Sequence, residues 1–428
     1  LVNEKGAGRI EPPQIRHIDP RHRLPARGGL QALDNLTDSL HGPVSRNRQD
    51  GSGWRGIEPE GRRDMGHAEV RLSSRHRNMV EPGLPDPARL PAILQEEGCI
   101  MDRLHLVAER HRAPLRAAFA ISRGSKSHAD TIRVQVSDGR HTGRGESVPY
   151  ARYGETVETA LAAIEALQPA FEASEADRFW LQTALPAGAA RCAIDCAFWD
   201  LEAKQAGVPV WRLAGLPKPA QIPTAFTVTL GPAEAMAESA RSAPGRLLKL
   251  KLGGAEDLSR VAAVHVARHD ARLILDGNEG IDPNDLARLC RDAGQLGVVL
   301  IEQPLPAARD AELQRGAADV ALCADESMHV AADIPRLAAH FDAVNLKLDK
   351  TGGLTEALKA LAAARAAGLQ VMVGCMVCGS LGLAPAVLLA QAADLADLDG
   401  PLWLADDIQN GLRYRDGEVA PPEPSLWG

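Results

Sequence analysis

The chain has 428 residues, 45% of them hydrophobic, with 48 Lys+Arg against 56 Asp+Glu and a net charge of -8. That length holds two or three domains, or one barrel with additions, around a large core. The acidic balance excludes a general basic surface for nucleic acid or a polybasic membrane face, and no apolar run approaches the roughly 20 residues that span a bilayer.

Residues 1–100 are rich in Arg, His, Pro and Gly, with 15 Lys+Arg against 14 Asp+Glu and no sustained helical or strand period. They read as an irregular extension: either an upstream stretch joined by a misplaced start, with Met101 as the natural initiator, or a real but weakly ordered part of the protein. No secretory signal peptide is expected. Seven cysteines, odd in number and scattered, suit a reducing cytoplasm better than a disulfide framework.

Residues 101–222 read as an α+β capping domain. Stretches 102–112 and 131–137 alternate as strands, separated by a polar segment at 123–130, and 157–171 and 189–205 have helical spacing. Residues 223–405 read as a β/α barrel. Apolar runs at 224–230, 247–252, 273–276, 298–302, 320–324, 343–348 and 371–375 are its strands, with helices such as 257–269 and 354–367 between them. Strands alternating with helices at this spacing pair in parallel. An eighth strand is expected around 402–404, and the Pro-rich tail 406–428 is expected to pack on the capping domain.

Five successive barrel runs end in polar residues: Lys249 and Lys251, Asp276, Glu302, Asp325 and Lys347. From Lys251 onward the gaps are 25, 26, 23 and 22 residues, about one strand-plus-helix unit each. Strand carboxyl ends in such a barrel open onto one face, so these residues share a pocket. Only eight of the 33 basic residues after Met101 are lysine, and three of them fall here. Lys249 and Lys251 are two apart on a strand and point to one side. Repulsion and desolvation are expected to lower the pKa of one of them and fit it as a general base.

Three hard oxygen ligands, Asp276, Glu302 and Asp325, suit Mg²⁺, with Mn²⁺ as a substitute, and no Cys/His cluster has zinc spacing. Asn278 and Glu326, beside two of them, are expected to orient the carboxylates. Lys347, on the sixth strand, stands across the mouth from the second, so two bases can approach a substrate from opposite faces. Cys375-Met-Val-Cys378 ends a buried strand instead of opening a redox helix, and Gly352-Gly353 reads as barrel turn geometry. The 13 histidines form no pattern.

These motifs resemble the enolase superfamily, which sets a Lys or His base beside Mg²⁺ to draw a proton from carbon. The Lys-x-Lys pair and the lone later Lys are similar to its muconate-lactonizing-enzyme subgroup over about residues 101–428. The resemblance implies a modified TIM (β/α) barrel closed by an N-terminal α+β cap. It implies that Lys251 and Lys347 are the acid/base pair, with Lys249 tuning Lys251 and stabilising substrate charge. The subgroup includes cycloisomerases, o-succinylbenzoate synthases, N-acylamino-acid racemases and dipeptide epimerases. Asp397-Leu-Asp399 is similar to the Asp-x-Asp with which dipeptide epimerases hold the substrate's ammonium group. Arg123 lies near where enzymes of the Ala-Glu type place an Arg for the distal carboxylate, and Lys126 or Arg152 could serve instead.

The expected function is therefore Mg²⁺-dependent epimerisation of Ala-Glu-like dipeptides at the α-carbon of the C-terminal residue. It would proceed by two-base 1,1-proton transfer through an enediolate. An N-acetylglutamate racemase or a cycloisomerase of the same subgroup is the alternative, with a non-catalytic binding protein disfavoured. The partner is a small dipeptide, and a homo-oligomer is compatible with the sequence.

Overall fold

The computed structural model describes residues 103–254 and 256–428, so the expectations for residues 1–100 and Met101 lie outside the described residues. The cap opens with an antiparallel sheet of His105–Ile121, Gly124–Ser137 and Thr142–Ser147. The first two strands pair from His105 opposite Ser137 to Ile121 opposite Gly124. The polar segment 123–130, expected as a connection, is thus mostly strand. Residues 124–127 are exposed, so this end of the hairpin shows no alternation that a sequence could reveal.

Thr-Gly-Arg-Gly-Glu-Ser, the third strand, was not legible as one, yet its glycines explain the packing. A Cβ on Gly143 or Gly145 would lie 1.9 Å from Ala197 O or 2.0 Å from Ala193 O. The sheet therefore seats directly on the backbone of helix Ala189–Ala206. Gly207 ends that helix in the left-handed region at φ 61, with its N–H on Ala203 O. The stretch 157–171 is not one helix. It divides into Val157–Glu165 and Gln168–Glu172, with Pro169 in the first turn of the second.

The barrel has eight parallel strands in chain order: Phe226–Val228, Leu247–Lys251, Arg272–Asp276, Val298–Glu302, Ala321–Ala324, Ala343–Leu346, Gln370–Gly374 and Leu395–Asp397. The last and first are tied by Ala225 N–H on Ala396 O at 2.8 Å and Thr227 N–H on Asp399 Oδ2 at 2.7 Å, which nearly closes the ring. The eighth strand is Leu395–Asp397 and not 402–404. The latter residues lie at and after a 3₁₀ turn, Gly400–Trp403.

Side-chain alternation explains why the chemistry gathers at one level. Ala225, Leu247, Ile274, Leu300, Cys323, Ala343 and Met372 form an apolar layer inside the barrel. Two residues further along each strand comes the next inward position. Those positions are Thr227, Lys249, Asp276, Glu302, Asp325, Asn345 and Gly374. The outward positions form the main core with the helices.

Cap and barrel meet along helix Ala189–Ala206. Arg191 donates to Thr351 O at 2.7 Å and Gly352 O at 3.2 Å, and Asp195 accepts the Thr355 N–H at 3.0 Å. Gly352 and Gly353 leave no room for a side chain against Arg191 and Asp195, so these glycines serve docking as well as turning. From the tail, Trp427 is buried, its indole donating to Arg144 O and Cys196 O, and the Gly428 N–H reaches Asp200.

Candidate active site

Lys249, Lys251, Lys347, Asp325, Asp397 and Asp399 all line one cavity of about 870 Å³ between the barrel mouth and the cap. Lys249 Nζ stands 2.6 Å from Glu302 Oε2, 2.7 Å from Asp397 Oδ2 and 3.1 Å from Asp276 Oδ2. Lys251 Nζ is 2.6 Å from Asp276 Oδ2. Lys347 Nζ is 2.7 Å from Asp325 Oδ2 and 3.8 Å from Glu302 Oε1. The three carboxylates and three lysines read from spacing are thus brought together and are all buried.

The lowered lysine pKa expected from repulsion does not hold for Lys249. Burial opposes its charge, but Asp276, Asp397 and Glu302 outweigh that and hold it well above its ordinary value. Lys347 is likewise raised well above it, by Asp325 and Glu302 against burial. Sequence reasoning weighed the neighbouring lysine and burial, and left out of that balance the charge of the carboxylates that three other strands deliver. Asp325 in turn is held well below the carboxylate range: burial works against its charge, and Lys347, Lys350 and Lys249 overcome it. Glu302 is pushed up to about 8 by burial and by the charge of Asp276.

Lys249 bridges Asp276 and Glu302, while Lys347 spans Asp325 and Glu302. No three His, Cys, Asp or Glu side chains among the described residues converge closely enough to enclose a metal ion. The donor set still fits a hard dication: Asp276, Glu302 and Asp325 supply buried carboxylate oxygens alone, and Glu302 is raised by burial and then by the charge of Asp276, a load that a cation would relieve.

Two orienting residues differ from expectation. Asn278 holds Asp276 Oδ1 through its backbone N–H at 2.9 Å, whereas its side chain lies 3.5 Å from Glu326. Glu326 receives Arg123 Nη2 at 2.8 Å and touches none of the three carboxylates by hydrogen bond. Two groups that sequence reasoning missed do hold them. Asn345 donates to Glu302 Oε1 at 2.7 Å, and Lys350 donates to Asp325 Oδ1 at 2.6 Å. Asn345 sits two residues before Lys347 on the same strand face, a signal present in the alternation. Lys350 is one more of the eight scarce lysines.

Arg123 is engaged by the barrel, donating also to Asn278 O at 2.8 Å, and Arg152 forks onto Glu279 at 2.7 Å. Among the described cations lining the cavity, Lys126 has no carboxylate partner, and its ammonium lies 4.6 Å from the Tyr150 ring centre. Of the Asp397/Asp399 pair, Asp399 accepts Thr227 N–H and, at 3.2 Å, the Trp403 indole. Burial and the charge of Asp397 push Asp399 up to about 6. Asp397 Oδ1 is buried and has no hydrogen-bond partner.

Known proteins share this architecture. Residues 104–215 match the mandelate racemase/muconate lactonizing enzyme N-terminal domain, and 233–425 match the enolase C-terminal domain-like family. The chain is 42% identical over 309 residues to an L-Ala-D/L-Glu epimerase of Escherichia coli, covering 72% of this chain and 96% of that protein. It is 41% identical to an N-acetyl-D-glutamate racemase of Pseudoalteromonas sp, covering 69% and 95%. A solved enolase family member from Agrobacterium tumefaciens, with bound sodium and L-Ala-L-Glu, superposes with TM-score 0.73 and 46% identity over 76% of this chain and all (100%) of that one. A dipeptide epimerase from Methylococcus capsulatus, complexed with Mg and L-Arg-D-Lys, gives 0.69 and 30% over 74% and 97%. The chain belongs to the mandelate racemase/muconate lactonizing enzyme group of the enolase superfamily, where it stands with the dipeptide epimerases.

Proposed function

We propose that the protein is an isomerase that epimerises dipeptides at the α-carbon of the C-terminal residue, with Ala-Glu-like dipeptides as first substrates. One observation carries this reading. Lysines from strands two and six of an eight-stranded ring open onto a cavity that also holds the unpartnered oxygen of Asp397. Opposed lysines suit removal of a proton from one face of a carbon and its return on the other.

Asp276, Glu302 and Asp325 would hold Mg²⁺, or Mn²⁺ in its place. The ion, when bound, supplies the positive charge that a carboxylate needs as its α-carbon is deprotonated. Lys347, kept as an ammonium by Asp325 and Glu302, is set to deliver a proton to the α-carbon. Lys251 serves the opposite face, and the roles exchange in the reverse direction. Lys249, kept charged, stabilises negative charge on the substrate. Asp397 and Asp399 receive the dipeptide's ammonium group. Lys126 meets the distal carboxylate, since Arg123 and Arg152 already have carboxylate partners. A reducing cytoplasm is the proposed setting, supported by the free thiols of all six described cysteines. No described helix is long and apolar enough to cross a membrane.

The test is proton NMR of the full chain with Mg²⁺ and L-Ala-L-Glu in D₂O. Loss of the Glu α-proton with appearance of the L,D diastereomer is the expected result. The similarity to the N-acetylglutamate racemase favours a second reading. It would be upheld by no exchange on the dipeptide together with exchange on N-acetylglutamate.

A further inference from the structure

Each of the three carboxylates has one oxygen tied by a donor of the chain and one turned toward the catalytic lysines. Asp276 Oδ1 accepts Asn278 N–H at 2.9 Å, and its Oδ2 faces Lys251 at 2.6 Å. Glu302 Oε1 accepts the Asn345 amide at 2.7 Å, and its Oε2 faces Lys249 at 2.6 Å. Asp325 Oδ1 accepts Lys350 at 2.6 Å, and its Oδ2 faces Lys347 at 2.7 Å. The first two ties are neutral groups. The third is a buried cation, an expensive choice where a neutral side chain would fill the space.

The surroundings of Lys350 say what that cation does. Its side chain is fully buried (0% exposed) and is not part of the cavity wall, so it cannot meet a substrate. Its ammonium donates to Asp325 Oδ1, to the Asp325 carbonyl and, at 3.2 Å, to Asn345 O. Three acceptors match the three donors of an ammonium group. Two belong to Asp325, so both its backbone and its carboxylate are fixed. The third belongs to the residue that ties Glu302. Unlike Asp276, the Asp325 carboxylate receives no backbone N–H among the described hydrogen bonds, and its only donors are Lys347 and Lys350.

We infer that Lys350 is a positioning residue: it ties down one oxygen of Asp325 so that the carboxylate offers a single oxygen, Oδ2, toward the cation site. The inference rests on the proposed Mg²⁺ role of Asp276, Glu302 and Asp325 and adds a cause of selectivity to it. Mg²⁺ takes single oxygens in a rigid octahedron, whereas Ca²⁺ accepts carboxylates through both oxygens in a looser shell. A tied Asp325 suits the first and resists the second.

The experiment is calorimetric titration of the full-length wild type and Lys350→Met with Mg²⁺ and, separately, with Ca²⁺, after circular dichroism has confirmed folding. We expect Mg²⁺ affinity to fall about 10–100-fold, the range typical of lost ligand-orienting partners. Ca²⁺ affinity should fall less or rise, so that the Mg²⁺/Ca²⁺ ratio drops. A role confined to charge balance predicts the reverse for Mg²⁺, because deleting a positive charge strengthens binding of any cation. Unchanged or tighter Mg²⁺ binding, or an unchanged Mg²⁺/Ca²⁺ ratio, would overturn the assignment. If Lys350→Met does not fold, Lys350→Gln keeps a donor without the charge and should stay within about threefold of wild type for Mg²⁺, below the tenfold loss of an absent partner. A folded Gln variant that loses Mg²⁺ binding tenfold refutes the tie as the cause. A wild type that binds no Mg²⁺ sinks the metal reading itself, a failure separate from the Lys350 result.

Discussion

At the seam between cap and barrel, the buried charges of Arg191 and Asp195 end on neutral groups. Arg191 donates to four carbonyls, those of Gln182, Leu185, Thr351 and Gly352, and Asp195 takes the Thr355 N–H and the Gln182 amide. At the barrel mouth, charge meets charge side chain to side chain, and acceptors are left over. Among the described residues, eight buried side-chain atoms have no hydrogen-bond partner, and those of Asn278, Glu302, Glu326, Asn345 and Asp397 lie at the mouth. Each such atom without an ion-pair partner costs about 1–3 kcal/mol, whereas Glu302 Oε2 is met by the Lys249 ammonium at 2.6 Å. A fold under selection for stability alone would not collect them around one site, where Asn278, Glu326 and Asp397 line the cavity itself. The seam uses buried polarity to hold two domains together; the mouth keeps its capacity for a ligand.

Substitutions in the two regions should therefore fail in different ways. Lys347→Ala, at the mouth, should lower epimerisation by about 10²–10⁴-fold, the usual share of one acid/base group. Exchange of the α-proton from one face should persist in D₂O, and full epimerase activity in this variant would remove the two-base mechanism. Arg191→Met, at the seam, strands buried carbonyls and should cost about 3 kcal/mol in chemical denaturation, with kcat/KM of the folded fraction unchanged. A catalytic defect with normal stability would erase the division between the regions. Asp397→Asn comes next. KM for L-Ala-L-Glu should rise about 30-fold, as truncation of a buried charge partner costs about 2 kcal/mol or more. N-acetylglutamate, which carries no ammonium group, should show no such rise.

The mouth was more legible in the sequence than the seam, and the reason is geometric. Parallel strands repeat their inward positions, so Lys249, Asp276, Glu302, Asp325 and Lys347 announce themselves by a spacing of 22–27 residues, from 325→347 at one end to 249→276 at the other. Contacts across the molecule carry no such rhythm. Arg123 finds Glu326 at a separation of 203 residues, and Asp195 finds Thr355 at 160. The hairpin end at 124–127 is exposed, and the eighth strand has only three residues, too few for a period. Asn345 lay within reach of the same alternation that revealed Lys347, but an asparagine on an apolar strand draws less notice than a charge.

The finest test of the comparison uses two aspartates lifted to the same value for related reasons. Burial pushes Asp349, which accepts the Val148 N–H at 2.7 Å in the seam, up to about 6. Burial and then Asp397 push Asp399 to about 6 at the mouth. Both folded values lie above the 3.8 of a free carboxyl. Each residue's contribution to stability is therefore fully present below about pH 3.8 and lost as pH rises through about 6, up to about 3 kcal/mol. The wild type should therefore lose melting temperature between pH 4 and 7, and Asp349→Asn should flatten that fall without altering the pH profile of kcat/KM. Asp399→Asn should do more. The ionised form of Asp399 is the one that attracts an ammonium group, so wild-type kcat/KM for the dipeptide should decline below about pH 6, by up to about tenfold per unit. The Asn variant should lose that limb and run at a uniformly lower level. The same titration thus shows in stability alone where the carboxylate holds the domains together, and in both stability and substrate binding where it faces the cavity.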